Sequence, residues 1–441
     1  MREHGRTVAT VAVIALLAGL AIGRFVSYGP AASTVAPPRT APTVEARVAA
    51  LEQAVESTPA DVRSWQALGI AYTQRAFEVG DPAFYDLAAR ALDRARQLDP
   101  EDARTELGLG NLALVLHDFA GARRHAEQAR QRQPGSADVL GVLVDAEVEL
   151  GDYEAAGAHL QDMLDVRPGL PALARTSYLR ELHGDLPGAV EAMQRAEAAG
   201  PDASFDTAVV AALLGDLHFT RGAPAEAEGA YRRALDASPG LVPAEVGLAR
   251  VEVARGDTAA AVDRLTAVVD RFPQPDAVIL LGDVLAAAGD HEQAQQQYAV
   301  VRAIARLQED AGQNVDLELA VFEADRADDP ERALALANRA HAARPDNVYA
   351  ADALAWALLR AGRADEAVAP MKHALRLSTA DPLVRFHAAE VFAATGRDDR
   401  ARDELTAVLD RNPWFSVSHR DRAAELAGQL GLPLPTGWDA R

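Results

Sequence analysis

Proline recurs along the chain at a nearly constant interval. Pro100, Pro134, Pro168, Pro201, Pro239 and Pro273 are separated by 34, 34, 33, 38 and 34 residues, and Pro345 and Pro413 follow after 72 and 68. A period in this range marks stacked supersecondary units rather than independent globular domains. Each Pro closes an amphipathic stretch, because it lacks an amide hydrogen and its ring clashes with the preceding turn. Between the stops a second pattern repeats. Gly151-Asp152-Tyr153 precedes Ala156, Leu160 and Met163; Gly256-Asp257 precedes Ala261, Leu265 and Val268; Gly396-Arg397 precedes Ala401, Leu405 and Val408. The glycine permits the left-handed conformation that ends one helix, and the alanine lets two helices cross closely. The larger residues share the alanine's helical face.

The helix before each glycine has its own signature. Trp65, Leu68, Gly69 and Tyr72 stand at spacings of 3, 1 and 3, and Leu109-Gly110, Leu214-Gly215 and Leu281-Gly282 repeat the Leu-Gly pair in register. This set resembles the tetratricopeptide repeat (TPR) family, whose unit is a 34-residue helical hairpin with the pattern W-x2-L-G-x2-Y…A-x3-F…P. The resemblance implies an all-α fold, a TPR α-solenoid forming a right-handed superhelix of about ten hairpins. Units are expected to start near Val62, Ala103, Ala137, Leu170, Ala208, Val242, Pro275, Asn314, Val348 and Pro382. The first carries an insertion between Thr73 and Asp86, and a smaller one holds Asp202 and Phe205. After Val301 no Pro comes, so a long second helix is expected to run to near Gly312. Val44–Pro59 reads as a half unit and Ser416–Leu430 as a closing helix, so that the solenoid spans 44–430 and leaves a tail at 431–441.

Ahead of the repeats, residues 7–28 are apolar or small for the most part and carry no charge but Arg24, and Arg2 and Arg6 precede them. They read as an N-terminal transmembrane helix, a signal-anchor, with residues 1–6 as a cytoplasmic tip under the positive-inside rule. A cleaved signal peptide is the alternative. Either places the repeats outside the cytoplasm, on a single-pass membrane protein or a secreted one. Residues 29–43, rich in Pro, Ala and Thr, read as an extended linker.

The resemblance implies that the first helices line a concave groove. In-register positions there are Asn111, Asp145, Tyr178, Asp216, Arg250, Asp283, Phe322, Trp356 and Glu390, with Tyr349 and Phe386 adding aromatic surface. An aromatic-lined groove with flanking charge suits a protein or peptide ligand; the alternative is that the aromatics pack between helices. TPR proteins that grip a peptide carboxylate use Lys and Asn in the groove. Here Lys372 is the sole lysine and falls on a second helix, so capture of acidic tails is not expected.

Composition removes other classes. The net charge of −21 argues against nucleic-acid binding and leaves a basic partner open. With no cysteine there is no disulfide framework, thiolate metal site or catalytic thiol. The 96 alanines agree with tight helix crossings. No enzyme signature stands out: Gly108-Leu109-Gly110 belongs to the repeat register, and His291-Glu292 lacks the second His of a zinc protease. No catalytic, cofactor or metal-ligating set is expected. Among eleven scattered histidines, His117 with His125, and His373 with His387, are the pairs that could meet. The expected function is a membrane-tethered scaffold for protein–protein interaction. An envelope assembly factor, similar to anchored TPR proteins of cytochrome c maturation, is the alternative.

Overall fold

The computed structural model describes residues 43–436 and 438, apart from 203 and 327–328. Among the described residues are twenty-two α-helices and no strand. Val44–Ser57 leads, ten antiparallel pairs follow, and Arg420–Leu430 closes the array. Eight of the ten expected unit starts coincide with helix starts. The fifth begins earlier, at Phe205, and the eighth later, at Asp316. The insertion in the first unit is an added turn on Val62–Val79, which ends at left-handed Gly80. The long second helix is His291–Asp310. The expected transmembrane and linker segments, up to residue 42, lie outside the described residues. No helix among the described residues is long and apolar enough to cross a membrane.

The repeated residues have direct physical roles. In the Gly-Asp turns, Asp152, Asp257 and Asp290 accept hydrogen bonds from backbone amides three residues on and cap the second helices. The period-marking prolines stand two residues beyond helix ends, as Pro134 does after Arg132 and Pro168 after Val166. Ala156, Ala227, Ala261 and Ala401 are fully buried at the helix crossings. The Leu-Gly pairs make room for large residues. A Cβ on Gly215 would come within 2.4 Å of the Tyr231 ring, and one on Gly247 within 2.2 Å, so that ring fills a slot between two successive units.

The two helices of a unit are buried differently. Ala137–Leu150 buries 12 of its 14 residues. Its partner Tyr153–Val166 buries only Tyr153, Ala156, Leu160 and Met163. First helices therefore form an inner layer and second helices an outer one, with one stripe each turned inward.

The superhelix is wound tightly enough for its second turn to rest on its first. Hydrogen bonds cross this seam between residues 193 to 198 apart, between five and six units. The Asn314 amide donates to Leu116 O, and the His117 Nδ1–H donates to Asn314 O at 2.7 Å. Arg344 donates to Glu149 at 2.6 Å, with both side chains buried. The Asn347 amide group donates to Glu149 O, the Val348 amide to the Tyr153 hydroxyl, and the Asn412 amide group to Phe219 O. At the closed end, Trp438 is buried in the core that the last units share.

Candidate functional site

The inner helices from Leu170–Leu182 to Pro382–Ala394, with the closing segment from Asn412 to Trp438, surround a cavity of about 1510 Å³. Its wall holds ten carboxylates and four arginines. Two of those arginines are held by acids of the wall itself. Arg326 grips Asp283 through two nitrogens, at 2.8 and 2.6 Å, and reaches Asp325 at 3.1 Å. Arg250 lies 3.6 Å from Asp216. The space keeps a net negative lining.

Of the residues that sequence reasoning placed in a groove, Tyr178, Asp216, Arg250, Asp283, Phe322 and Tyr349 come together on this wall. Asn111, Asp145, Trp356, Phe386 and Glu390 lie outside it. Asp145 is buried under a two-point ion pair with Arg175 of the next unit, at 2.7 and 2.5 Å. Burial pushes its carboxyl up, against the pull of Arg175. Asn111 is half-buried on the inner helix of the second unit. Trp356 and Phe386 are buried behind the wall, where they pack on histidines.

That packing is the most unusual chemistry of the described residues. Trp356 stacks on His387 with centroids 4.2 Å apart and planes at 11°. Phe386 stacks on His419 at 5.0 Å. The Trp356 Nε1–H donates to Asp325 at 2.7 Å. His387 Nδ1 lies 3.0 and 3.1 Å from the two oxygens of buried Asp352. Burial alone would raise the Asp325 carboxyl, but His419, Arg326 and His387 hold it well below the usual carboxylate range. Burial opposes charge on His387, and Asp352, Asp325 and Asp381 outweigh it and raise that imidazole. One ligand atom from each of Asp325, His387 and His419 lies within 4.8 Å of the others.

The histidine pairs expected from the sequence do not form this group. His117 joins the seam and His125 bonds Glu106. His373 accepts from Arg376. The missed signal is spacing: His419 follows His387 by about one repeat period, and Asp325 sits on an inner helix two units before His387.

An inner layer of repeated helices around a charged cavity defines a helical-hairpin solenoid. Tetratricopeptide repeat models match residues 116–176, 183–242 and 246–309. These matches fall in register with the hairpins and identify tetratricopeptide repeats within residues 116–309. "Cellulose synthase 1 operon protein C" of Komagataeibacter xylinus is 26% identical over 215 residues, which is 49% of this chain and 14% of that protein. The chain therefore spans only a small part of that relative's length. Among solved structures, a thermophilic TPR protein of Thermus thermophilus aligns with 21% identity, covering 44% of this chain and all of that one, at a TM-score of 0.39. A human IFIT1 dimer with m7Gppp-AAAA aligns with 14% identity over 75% of this chain and 76% of that one, at 0.48.

Proposed function

We propose that the chain is a membrane-tethered TPR scaffold that receives a basic peptide segment of a protein partner in its central cavity, on the extracytoplasmic side. The observation that carries the ligand class is the wall itself, where carboxylates outnumber arginines ten to four. Such a lining attracts cationic side chains and repels acidic ones, over and above the chain's net charge of −21. Leu213, Ile279 and Tyr349 supply apolar and aromatic surface between the acids for a peptide's side chains. The membrane tether rests on residues 7–28 and their flanking arginines, and the extracytoplasmic placement follows from that reading. No catalytic step belongs to this proposal.

The direct test is fluorescence anisotropy with labelled dodecapeptides of equal length, one rich in Arg and one rich in Glu. The Arg-rich peptide should bind the full chain, more weakly as salt rises, and the Glu-rich one should not. Reversing Glu181, Asp276 and Asp421 together to Arg should weaken that binding at least tenfold. Equal binding of both peptides, or no effect of the reversal, contradicts the reading. A reporter fused after Arg441 tests the topology: activity restricted to the cytoplasm contradicts the placement.

The second reading, an envelope assembly factor, is favoured by one observation. The likeness to the cellulose synthase operon protein extends over 49% of this chain. Affinity capture of envelope biosynthesis proteins by the full chain would support it, and capture confined to unrelated proteins would contradict it.

A further inference from the structure

His387 and His419 meet one carboxylate, Asp325, in the interior, and the group carries an unspent capacity to bind. Asp325 ends the helix Asp316–Arg326, His387 lies in Pro382–Ala394, and His419 precedes Arg420–Leu430. Three separate parts of the solenoid thus each deliver one side chain to one point. The Nε2 atoms of His387 and His419 are both buried and have no hydrogen-bond partner. His387 is 0% exposed and His419 8%. The His419 Nε2 stands 3.4 Å from Asp325 Oδ1 without making a hydrogen bond to it. A buried nitrogen without a hydrogen bond is costly, so His387 Nε2, which has no partner, and His419 Nε2, which has only the longer ion-pair contact with Asp325, call for an occupant.

The rest of the pocket fits a cation. Asp352 takes the Nδ1 side of His387, which fixes the ring and leaves Nε2 as the nitrogen free to bind. The flat faces of both imidazoles are covered by Trp356 and Phe386, leaving their edges as the reactive parts. Asp325, Asp352 and Asp381 bring three carboxylates around His387, and Asp352 is buried. The nearby guanidinium of Arg326 is shared with Asp283. Asp325, Asp352 and His419 also reach the cavity wall, so one side of the group is open to that space.

We propose that Asp325, His387 and His419 are the protein ligands of a divalent transition-metal ion of the zinc class, with Asp352 as the positioning residue for His387. Two imidazoles and one carboxylate suit zinc, cobalt or iron rather than calcium or magnesium, which take oxygen donors. A tetrahedral ion bonded at about 2.0–2.1 Å holds its ligand atoms roughly 3.3 Å apart. The present spread of up to 4.8 Å therefore has to contract by small movements of the two rings. The remaining coordination position opens on the cavity, where water or a donor group of a partner can take it. The site stands on its own residues, whether or not a basic peptide enters the cavity.

The test is to strip the full-length chain with a chelator, dialyse it against Co2+, and read metal content and visible absorption. One Co2+ per chain with d–d bands, displaced by Zn2+, is expected. Tryptophan fluorescence should be quenched by Co2+ in the native chain and less so in Trp356→Phe, because that indole lies on His387. His419→Gln and His387→Gln should each lower affinity at least tenfold, and Asp352→Asn about tenfold. His125→Gln, whose ring is bonded to Glu106 elsewhere, should bind as the native chain does. Far-UV circular dichroism checks that each variant is folded. Should His387→Gln fail to fold, the partly accessible His419→Gln and the native titration decide. No stoichiometric Co2+ in the folded native chain, or binding undiminished in folded His419→Gln, overturns the proposal. So does a His387 ring that NMR finds protonated with Zn2+ present, since a proton would then be the occupant.

Discussion

Gly151 and Gly222 end the first helices of their units, as Gly256 and Gly289 do in theirs, and all four have left-handed backbones. The repeat pattern accounts for them equally. Their surroundings differ. A Cβ on Gly151 would come within 2.2 Å of the Asp346 carbonyl, and one on Gly222 within 1.9 Å of Arg411 O. A Cβ on Gly256 or Gly289 would meet nothing within 4 Å. The first pair lies where the second superhelical turn sits on the first; the second pair does not. One sequence motif thus serves local chain reversal throughout and long-range contact in a few units only.

The comparison breaks most readily at its ion pair. Removing Arg344 leaves Glu149 buried without its partner, so Arg344→Ala should cost about 3–5 kcal/mol in denaturant unfolding. Arg339→Ala, which removes an exposed pair with Asp316 within one unit, should cost about 0–1 kcal/mol. Equal losses would mean that the seam carries no special weight.

Alanine at the glycines sharpens the same contrast. Gly289→Ala should cost about 1–2 kcal/mol, the strain of a left-handed non-glycine residue. Gly222→Ala adds a collision with backbone and should cost about 2–5 kcal/mol. Limited proteolysis should find the seam opened in the second variant only. Asn412→Ala comes next: it removes the hydrogen bond to Phe219 O and leaves that carbonyl without this donor, at about 1–2 kcal/mol.

The smallest effect concerns pH. Burial pushes the Glu318 carboxyl up to about 7, with Arg344 partly opposing. Between about pH 4.5 and 7 the folded chain therefore holds a proton that the unfolded chain has lost. Stability from this group is full below that window and falls as pH rises through it. His117, pushed down by burial and by Arg344, gives the opposite slope, losing stability as pH falls below its ordinary value. The readout is thus the difference in Tm between the native chain and Glu318→Gln, which should shift in favour of the variant from about pH 4.5 to 7. A constant difference contradicts the assignment.

The hairpins were legible because their causes are local. A proline two residues past most second helices, and an Asp cap or a glycine at most turns within a unit, can be read without knowing any neighbour. The irregularities were half legible. The insertion after Thr73 was visible, but that it would extend Val62–Val79 by a turn was not. The seam left no local trace, because the pitch of a solenoid is the sum of small rotations at every unit interface. The wall of the cavity shows the same division. Register placed Tyr178, Asp216, Arg250, Asp283, Phe322 and Tyr349 on the inner helices, where they line it. The same register put Asp145 there too, yet Arg175 of the following unit covers it. Asp325, His387 and His419 come from separate units, and no spacing rule for one helix brings them together.

The central claim is that the superhelix closes on itself, and a cysteine pair tests it most directly. The chain has no cysteine of its own, so Leu116→Cys with Asn314→Cys supplies two thiols at a point where the turns share a backbone hydrogen bond. Under mild oxidation the folded double variant should form an intramolecular disulfide, seen as a faster-migrating species that reductant abolishes. Thiols that stay reduced in the folded chain, or link only one chain to another, would contradict a closed superhelix.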